Sequence, residues 1–388
     1  MNILLISPGN YDYDGRLREL MCTFDSLGEL SAFTLGSVPC NARHHIYQMS
    51  KHVDIEKFPA KKKIIVKNSR LLWRWYRTLE YLVFIKEAVA FAKQQKNVDM
   101  LVLDNQKAVI PGILVDKLIH PGLILQDCRE CYLKEEVPGF LAKMLCKLEG
   151  IGIKRADILV AANLERAEFM KEYYHLRDIP LIFENLRQLA YSHQCDEKAL
   201  RQTYASCIHE DEIRIIATAG CEISRMNDVL VRNLDQVKYK CRLLLVGSST
   251  LENQAVIEKI IEEKHLENVN ILGRVNQDAL KYLIQSSHIG IVSYHQRDLN
   301  NRFCASGKLF EFIYEGIPVV TTTNPPLSRL CEEGIGVADD SFADGINRVI
   351  EDYADYQEKA VTYARFHSVE QNRADLLVQI RNRISQTQ

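Results

Sequence analysis

The feature that most constrains this chain is the regular alternation of short apolar runs with longer segments of helical pattern. In the first half of the 388 residues, the apolar runs predict strands over residues 2–7, 30–35, 99–104, 123–127, 157–162 and 180–183. Between them, helical patterns predict helices over residues 15–27, 71–95 and 110–119. Such alternation is typical of an α/β fold, in which helices cover both faces of a doubly wound parallel sheet.

The same pattern starts again in the second half, after a polar segment at residues 188–211. Here the sequence predicts five short strands, most of them ending in Gly or Ser, over residues 213–220, 242–247, 269–273, 288–293 and 318–322. A chain of 388 residues is long enough for two domains that each bury a core. We therefore predict one Rossmann-like domain over residues 1–187 and a second over residues 188–365.

Composition agrees with a globular protein that works in the cytoplasm. Hydrophobic residues make up 47% and charged residues 26% of the chain, which excludes a disordered or an integral membrane protein. Lys86 and Glu87 interrupt the longest apolar stretch, and the first residues lack the basic region of a signal peptide. Eleven cysteines without export signals indicate free thiols in a reducing compartment. We expect a cytoplasmic location.

One segment carries an unusual charge pattern. From Lys57 to Arg77 the chain interleaves basic residues with aromatic ones, including both of its tryptophans, Trp73 and Trp75. Cations beside amphipathic rings suit an anionic membrane surface. A solvated basic loop followed by a partly buried helix, and a nucleic-acid contact, are the alternatives. We favour the membrane and expect no nucleic-acid partner.

The most informative motif for function lies between Asn300 and Val320. It predicts a helix that opens on Ser306, Gly307 and Lys308, followed by a glycine stop and a buried strand after Pro318. A lysine in the first helical turn opposes the helix dipole unless an anion such as a phosphate sits there too. Glu311 lies about one turn further along, on the same face of the predicted helix as Lys308. A solvated surface helix with an internal Lys–Glu pair is the alternative interpretation.

The segment Ser-Gly-Lys-Leu-Phe-Glu at residues 306–311, followed by Glu-Gly-Ile-Pro-Val-Val at 315–320, resembles the nucleotide-sugar site of GT-B glycosyltransferases, in particular the retaining GT4-like group. Further similarity lies in Asp-Cys-Arg-Glu at 127–130, Arg-Ala-Asp at 155–157 with Glu-Asn at 184–185, the turn at 220–225, and Leu-Gly-Arg-Val at 272–275. The resemblance implies two Rossmann-like doubly wound domains that face each other across a cleft. It also implies that a C-terminal helix, about residues 366–388, packs back on the first domain.

The resemblance further implies a function: transfer of a sugar, with retention, from a nucleoside diphosphate sugar to a hydroxyl of a glycan or lipid-linked acceptor. A bacterial surface-polysaccharide or lipid-linked glycan pathway is the expected setting, and peripheral contact with the cytoplasmic membrane fits that setting.

The expected catalytic residues are Arg225, Lys308, Glu311 and Asp127. The expected donor-binding residues are Gly9, Asn10, Gly220, Arg225, Gly247, Arg274, Val275, Asn300, Asn301, Ser306, Gly307, Lys308, Leu309 and Glu311. The expected acceptor-side residues are Asp14, Arg16, Asp104, Asn105 and Glu130. No metal or other cofactor is expected, since fixed cations and backbone dipoles can stabilise the departing diphosphate.

Two departures from the family pattern bear on these expectations. Phe303 stands where the group often has a second Glu, and we expect Asn300 or Asn301 to take over its sugar contacts. A Lys that usually accompanies the phosphate-binding Arg is missing after Arg225. A sugar-nucleotide epimerase of the same fold and a non-catalytic nucleotide-sugar-binding protein therefore remain alternatives. The missing G-x-G-x-x-G fingerprint after the first strand counts against a nicotinamide or flavin enzyme.

Overall fold

A computed structural model describes residues 1–12, 14–36, 45–46, 59, 61–63 and 69–387 of the chain. These residues form two compact units. Unit 1 comprises Met1–Glu184 and Arg373–Gln388, and unit 2 comprises Asn185–Asn372. The sequence placed the boundary at 187/188 and the returning tail at 366.

Unit 1 is built on a parallel sheet of seven strands in the order β3-β2-β1-β4-β5-β6-β7. Its strands are β1 (Asn2–Asn10), β2 (Glu29–Leu35), β3 (His45–Ile46), β4 (Met100–Asp104), β5 (Leu123–Cys128), β6 (Ile158–Ala161) and β7 (Leu181–Ile182). The chain runs outward from β1 to β3, returns to β4 on the other side of β1, and continues to β7. Two neighbouring strands, β1 and β4, therefore mark the point where the direction of winding reverses.

Helices cover the sheet of unit 1 and bury its apolar side chains. They are α1 (Gly15–Asp25), α2 (Arg70–Ala92), α3 (Val109–Ile119), α4 (Phe140–Arg155), α5 (Leu164–Tyr174) and the end of α15 (Val369–Thr387). One core cluster packs β1 and β4 against α1 and also contains Leu376 and Ile380 of α15. A second packs the other side of the same strands against α2, through Phe84 and Phe91. Burial on both faces explains why these strands read as nearly continuous apolar runs.

Unit 2 repeats the architecture with a parallel sheet of six strands in the order β10-β9-β8-β11-β12-β13. Its strands are β8 (Ile213–Ala217), β9 (Cys241–Val246), β10 (Val269–Gly273), β11 (Ile289–Val292), β12 (Val319–Thr321) and β13 (Gly336–Ala338). Its helices are α6 (Glu197–Thr203), α7 (Asn227–Asn233), α8 (Leu251–Glu263), α9 (Gln277–Gln285), α10 (Leu299–Arg302), α11 (Gly307–Ile313), α12 (Pro325–Leu330), α13 (Phe342–Glu351), α14 (Tyr353–Phe366) and the start of α15. Here the winding reverses between β8 and β11.

The predicted α/β class with two doubly wound parallel sheets is confirmed. The predicted strands are all present, with ends that differ by about three residues or fewer. Two short strands, β3 and β13, were missed because each has too few residues to show a periodicity. The first strand, predicted to end at residue 7, continues through Asn10, where β1 pairs with Leu35 after an irregularity in the register.

No helix among the described residues is long and apolar enough to cross a membrane. The basic and aromatic stretch from Lys57 to Arg77 falls only partly within these residues. Residues 57–58, 60 and 64–68 of that stretch lie outside them, whereas Trp73, Trp75 and Arg77 belong to α2.

Candidate active site

The winding reversal of unit 2 brings two loops together at the carboxyl ends of β8 and β11, the place where open α/β sheets bind ligands. Arg225 ends a short helical turn after β8, and its Nη1 donates to Oδ1 of Asn301 at 3.0 Å. The guanidinium also lies 4.0 Å from the ring centroid of Tyr294, which follows β11. Arg225 is thus held at the reversal point by an amide and a ring, and its charge is not neutralised by either.

Asn301 is itself held by Asp298, the N-cap of α10. Its Nδ2 donates to both carboxylate oxygens of Asp298, at 2.9 and 2.8 Å, and its backbone N–H donates to the same carboxylate at 2.9 Å. These bonds leave the Asn301 amide oxygen directed at Arg225. The sequence assigned sugar contacts to Asn301, but the structure uses both ends of its amide within the protein.

Lys308 lies in the first turn of α11, as the sequence predicted. Desolvation and the nearby charge of Arg225 lower its pKa to about 8, while Glu311 acts in the opposite sense. Among the described residues, no carboxylate lies within ion-pair distance of the Lys308 ammonium. Arg225 and Lys308 are therefore two neighbouring cations in one region. Among the described residues, no carboxylate forms an ion pair with either of them.

The start of α11 carries further unused polar capacity. Ser306, the N-cap residue, is 7% exposed, and its Oγ makes no hydrogen bond among the described residues. Gly307 allows close packing, because a Cβ there would lie 3.2 Å from the backbone oxygen of Asn185. The Asn185 side chain in turn donates to the backbone oxygen of Ala305 at 3.2 Å. A segment just after the unit boundary thus supports this helix end.

Glu311 is 2% exposed and faces the same region. Its Oε1 accepts from Nε of Arg187 at 2.9 Å, and the Arg187 side chain is 51% exposed. Desolvation raises the pKa of Glu311, whereas the charges of Arg187 and Lys308 oppose that rise. A buried acceptor of this kind suits hydroxyl donors of a ligand.

Two glycines bring the loops after β8 and β9 into contact. Gly220 has φ +58° and Gly247 has φ +135°, backbone conformations that side chains rarely adopt. A Cβ on Gly220 would lie only 2.7 Å from the backbone oxygen of Gly247. This close approach needs glycine for space as well as for its dihedral angle.

Unit 2, as far as the structure describes it, presents two unneutralised cations, an uncapped helix start and a buried carboxylate at one winding reversal. Cations and free backbone N–H groups bind a polyanion, and a buried carboxylate accepts hydrogen bonds from hydroxyl groups. The arrangement fits a ligand with phosphate at one end and hydroxyls beside it.

Unit 1 has a charged cluster at its own winding reversal, between β1 and β4. Arg129 pairs with Asp104 through Nε at 2.8 Å and through Nη2 at 2.5 Å, and with Asp14 through Nη1 at 2.5 Å. Ser7 donates to Asp104, whose pKa is raised by desolvation while Arg129 opposes the rise. Asp104 is fully buried.

Asn105, next to this cluster, has an unusual backbone. Its φ of +67° and ψ of +168° lie in a region that is populated almost only by glycine, at a typical cost of about 1–3 kcal/mol. Its Nδ2 donates to Oε2 of Glu130 at 3.2 Å. The strain holds a polar side chain at the carboxyl end of β4, beside the loop after β5.

Among the described residues, no group of three or more His, Cys, Asp and Glu side chains is arranged to hold a metal ion.

Comparison with known proteins finds a family similarity for part of unit 2. Residues 215–352, which lie within unit 2 and include Arg225, Lys308 and Glu311, match the model of the family Glycosyl transferases group 1. The chain has the GT-B fold, and the matched segment of unit 2 is similar to the glycosyltransferases of this family. No curated protein sequence matches this chain closely enough to count as a relative.

Solved structures share its fold along the whole chain. Sucrose-phosphate synthase from Thermosynechococcus elongatus superposes with a TM-score of 0.70 at 14% identity, covering 100% of both chains. A glycosyltransferase from Rickettsia africae gives 0.68 at 15% identity, covering 99% of this chain and 98% of its own. HepE from Anabaena, solved in complex with UDP-glucose, gives 0.66 at 14% identity, covering 100% of both.

Not every predicted donor-binding residue lies at the site in unit 2. Leu309 is fully buried in the core, so only its backbone can face a ligand. Val275 packs against the same core, Arg274 is exposed after β10, and Asn300 is half-buried on α10. Two others, at residues 9–10, lie on β1 of unit 1.

Asp127, for which the sequence predicts a catalytic role, is held by contacts within unit 1. Asp127 is fully buried, and its two oxygens accept from Nε and Nη2 of Arg16 at 2.9 and 2.6 Å. Arg16 also donates to the backbone oxygen of Phe183 at 2.6 Å. A buried pair with both oxygens occupied joins α1 to the sheet, which supports a structural role for both residues. Arg16, which the sequence predicts on the acceptor side, is likewise engaged within unit 1.

Sequence reasoning missed several residues that shape this site: Tyr294, Asp298, Arg187 and Asn185. Tyr294 stands two residues beyond β11, so the rule that ligands bind at carboxyl ends of strands gave a usable signal. Asp298 precedes a short helix with the offset of an N-cap. No local signal singled out Arg187, because its partner Glu311 is far away along the chain.

Proposed function

We propose that this protein is a glycosyltransferase, which transfers a sugar from a nucleoside diphosphate sugar, bound by unit 2, to an acceptor hydroxyl bound by unit 1. The observation that carries the proposal is the pair of cations Arg225 and Lys308 at the winding reversal of unit 2. Among the described residues, no carboxylate forms an ion pair with either cation. Their positions suit a diphosphate, and the N-terminal turn of α11 supplies backbone N–H groups beside them.

The chemistry follows from where charge develops. Breaking the bond between the anomeric carbon and the phosphate oxygen puts negative charge on the diphosphate and positive character on the sugar ring. Preorganised positive groups at the phosphate are expected to contribute most to lowering the barrier of such a reaction. Arg225, Lys308 and the N–H groups near Gly307 supply this stabilisation. Glu311 accepts from the ribose hydroxyls, and Arg274 with Val275 frames the base.

On the acceptor side, Asn105 and Glu130 are the candidates with side chains at the carboxyl edge of the sheet. Asp14 and Asp104 neutralise Arg129 and shape the floor beneath them. Transfer proceeds with retention, as in the GT4-like group, without a protein nucleophile. The departing phosphate helps to remove the proton of the acceptor hydroxyl, and no metal takes part.

We place the reaction in the synthesis of a bacterial surface polysaccharide or a lipid-linked glycan, at the cytoplasmic face of the membrane. The basic and aromatic stretch from Lys57 to Arg77 supports this setting, because each cation near anionic lipid contributes on the order of 1 kcal/mol of binding. An acceptor held at the membrane would be reached without dissociation of the enzyme.

The test is a thermal-shift screen of UDP-, GDP- and ADP-sugars, beginning with UDP-glucose. We expect one nucleotide class to raise the melting temperature of the protein. Lys308→Ala and Glu311→Ala should each abolish that shift while keeping the fold, as judged by circular dichroism. Unchanged donor affinity in both variants would overturn the site.

Product analysis then separates the alternatives. A transferase releases nucleoside diphosphate only with an acceptor or, slowly, with water. Conversion of the sugar within the intact nucleotide sugar would instead identify an epimerase. Binding without either reaction would identify a non-catalytic binding protein.

A further inference from the structure

Unit 1 contains a cavity of about 790 Å³ between the first half of α2 and the start of α4. Trp73, Trp75 and Tyr81 line it from α2, and Phe140 and Leu141 line it from α4. Its volume lies within the roughly 300–1,000 Å³ typical of ligand pockets. Its walls are mostly apolar and aromatic, so the cavity suits a hydrocarbon.

We call this cavity between α2 and α4 the groove. Its rim exposes large apolar side chains to solvent. Leu71 is 78%, Trp75 65% and Phe140 84% exposed. A cluster of this kind on one face usually marks an interaction site. Exposure of these side chains to water is unfavourable, so the groove favours an apolar occupant.

As far as the structure describes it, the groove is lined by three cations against a single carboxylate. Arg77 donates to Glu80 at 2.6 Å and lies 5.8 Å from the ring centroid of Trp73, while Arg74 reaches toward the start of α4. Lys107 is the third, and desolvation together with the charge of Arg77 lowers its pKa. The excess positive charge complements an anion attached to the hydrocarbon.

The groove continues to the carboxyl edge of the sheet. Pro8 and Leu35 line it from the ends of β1 and β2, and Lys107 lines it from the turn after β4. Lys107 stands two residues after Asn105, and the charge of Glu130 acts to raise the pKa of Lys107. Apolar wall, cations and the polar pair Asn105–Glu130 thus follow one another in that order.

We propose that this groove binds a single lipid-linked acceptor. Its hydrocarbon chain lies between α2 and α4, and its phosphate lies against Arg74, Arg77 and Lys107. Its terminal hydroxyl faces Asn105 and Glu130. This assignment rests on the proposed function, in which unit 1 holds the acceptor, and it names the class of that acceptor.

The two tryptophans of the chain both line this groove, so their fluorescence reports its occupancy directly. The probe is farnesyl phosphate below its aggregation limit, titrated into the full-length protein. We expect a saturable blue shift of the emission and loss of acrylamide quenching. Inorganic phosphate should change neither, and farnesol should bind about tenfold more weakly because it lacks the anion.

Matched variants locate the site. Leu141→Glu, which puts a charge into the groove, should weaken farnesyl phosphate binding at least about tenfold. Leu118→Glu, at a similarly exposed leucine of α3 outside the groove, should leave it unchanged. Arg74→Ala should weaken farnesyl phosphate but not farnesol, whereas Lys143→Ala should affect neither.

Three outcomes overturn the proposal. One is an unchanged emission in the wild type. Another is a response to phosphatidylglycerol vesicles that farnesyl phosphate does not displace, which would mean surface adsorption only. The third is a dimer in sedimentation that Leu141→Glu converts to monomer without any response to the probe. The UDP-sugar thermal shift is measured on the same samples, so loss of donor binding and loss of groove binding are separately visible.

Discussion

At the scale of single residues, Lys308 shows how a binding site can oppose stability. Its ammonium is desolvated beside Arg225, and no carboxylate of the described residues pairs with it, which explains a pKa of about 8 in the donor-free protein. Such a cation costs folding free energy, and under the proposed function a bound diphosphate would offset that cost. Lys308 should therefore lower the stability of the donor-free protein and be essential for donor binding.

We expect Lys308→Met to raise the free energy of unfolding of the donor-free protein at pH 7 by about 2 kcal/mol, because it removes a desolvated charge and keeps the alkyl chain. The same variant should lose the stabilisation by UDP-sugar. Differential scanning calorimetry with and without donor measures both. Lys259→Met, at an exposed helix position of unit 2, is the control, and a destabilised Lys308→Met protein would contradict the account.

The pKa of Lys308 also predicts a pH dependence with a definite sign. Its folded value of about 8 lies below the ordinary value of 10.5, so the unfolded chain binds the extra proton between them. Stability of the donor-free protein should therefore rise with pH across this window, and that contribution should vanish in Lys308→Met. Donor affinity should fall above about pH 8, since the neutral amine no longer pairs with phosphate. Calorimetry and donor titration between pH 7 and pH 10, chosen to span roughly that interval, test both signs.

Asp298 provides a test of positioning at the same scale. Its carboxylate fixes the Asn301 amide, whose oxygen holds Arg225. We expect Asp298→Ala to weaken donor binding about tenfold, because Arg225 loses its fixed orientation without losing its charge. Asp235→Ala, which removes an exposed carboxylate paired with Lys264, is the control. Wild-type affinity in Asp298→Ala would exclude the relay.

At the scale of elements, two glycines at the carboxyl ends of β8 and β10 let the effects of dihedral angle and of crowding be separated. Gly220 and Gly273 have nearly the same positive φ, +58° and +62°. A Cβ at Gly220 would meet the backbone of Gly247 at 2.7 Å, whereas a Cβ at Gly273 would meet no described atom within 4 Å. The two positions differ in space rather than in backbone strain.

Gly273→Ala should accordingly cost about 1 kcal/mol, the penalty of a left-handed conformation. Gly220→Ala should cost about 2–4 kcal/mol and also weaken donor binding, because the loop after β8 must move away from Gly247. Urea unfolding and donor titration compare the pair. Equal effects on both measurements would show that crowding at Gly220 is relieved without consequence.

At the scale of the whole molecule, the chain forms two compact units, and α15 belongs to both. Val369 at its start packs in the core of unit 2, whereas Leu376 and Ile380 pack in the core of unit 1. The greater part of the last helix, from Arg373 onward, is therefore a structural part of unit 1, although it follows unit 2 in the chain.

Leu376→Ala should destabilise unit 1 by about 2–4 kcal/mol, because a fully buried side chain leaves a cavity. Calorimetry with UDP-sugar should show a transition that the donor raises, from unit 2, and a second that this variant lowers. Val378→Ala, at a position 54% exposed, should change neither. If Leu376→Ala lowered only the donor-sensitive transition, this assignment of α15 would be wrong.

The sequence by itself determined the elements and the motif at α11. Strand and helix patterns depend on local spacing, so β4, β5, β10 and most other strands were predictable within a few residues. The helix start at Ser306, the glycine stop at Gly316 and the strand after Pro318 also follow from nearest neighbours along the chain.

Only the tertiary structure decided what the polar side chains at the sheet edges do. Asp127 read as a catalytic carboxylate, but Arg16, from a distant part of the chain, occupies both of its oxygens. Asn301 read as a sugar contact, but it holds Arg225. The physical reason is that a polar group removed from water must find a partner, and parallel strands bring that partner from distant parts of the chain.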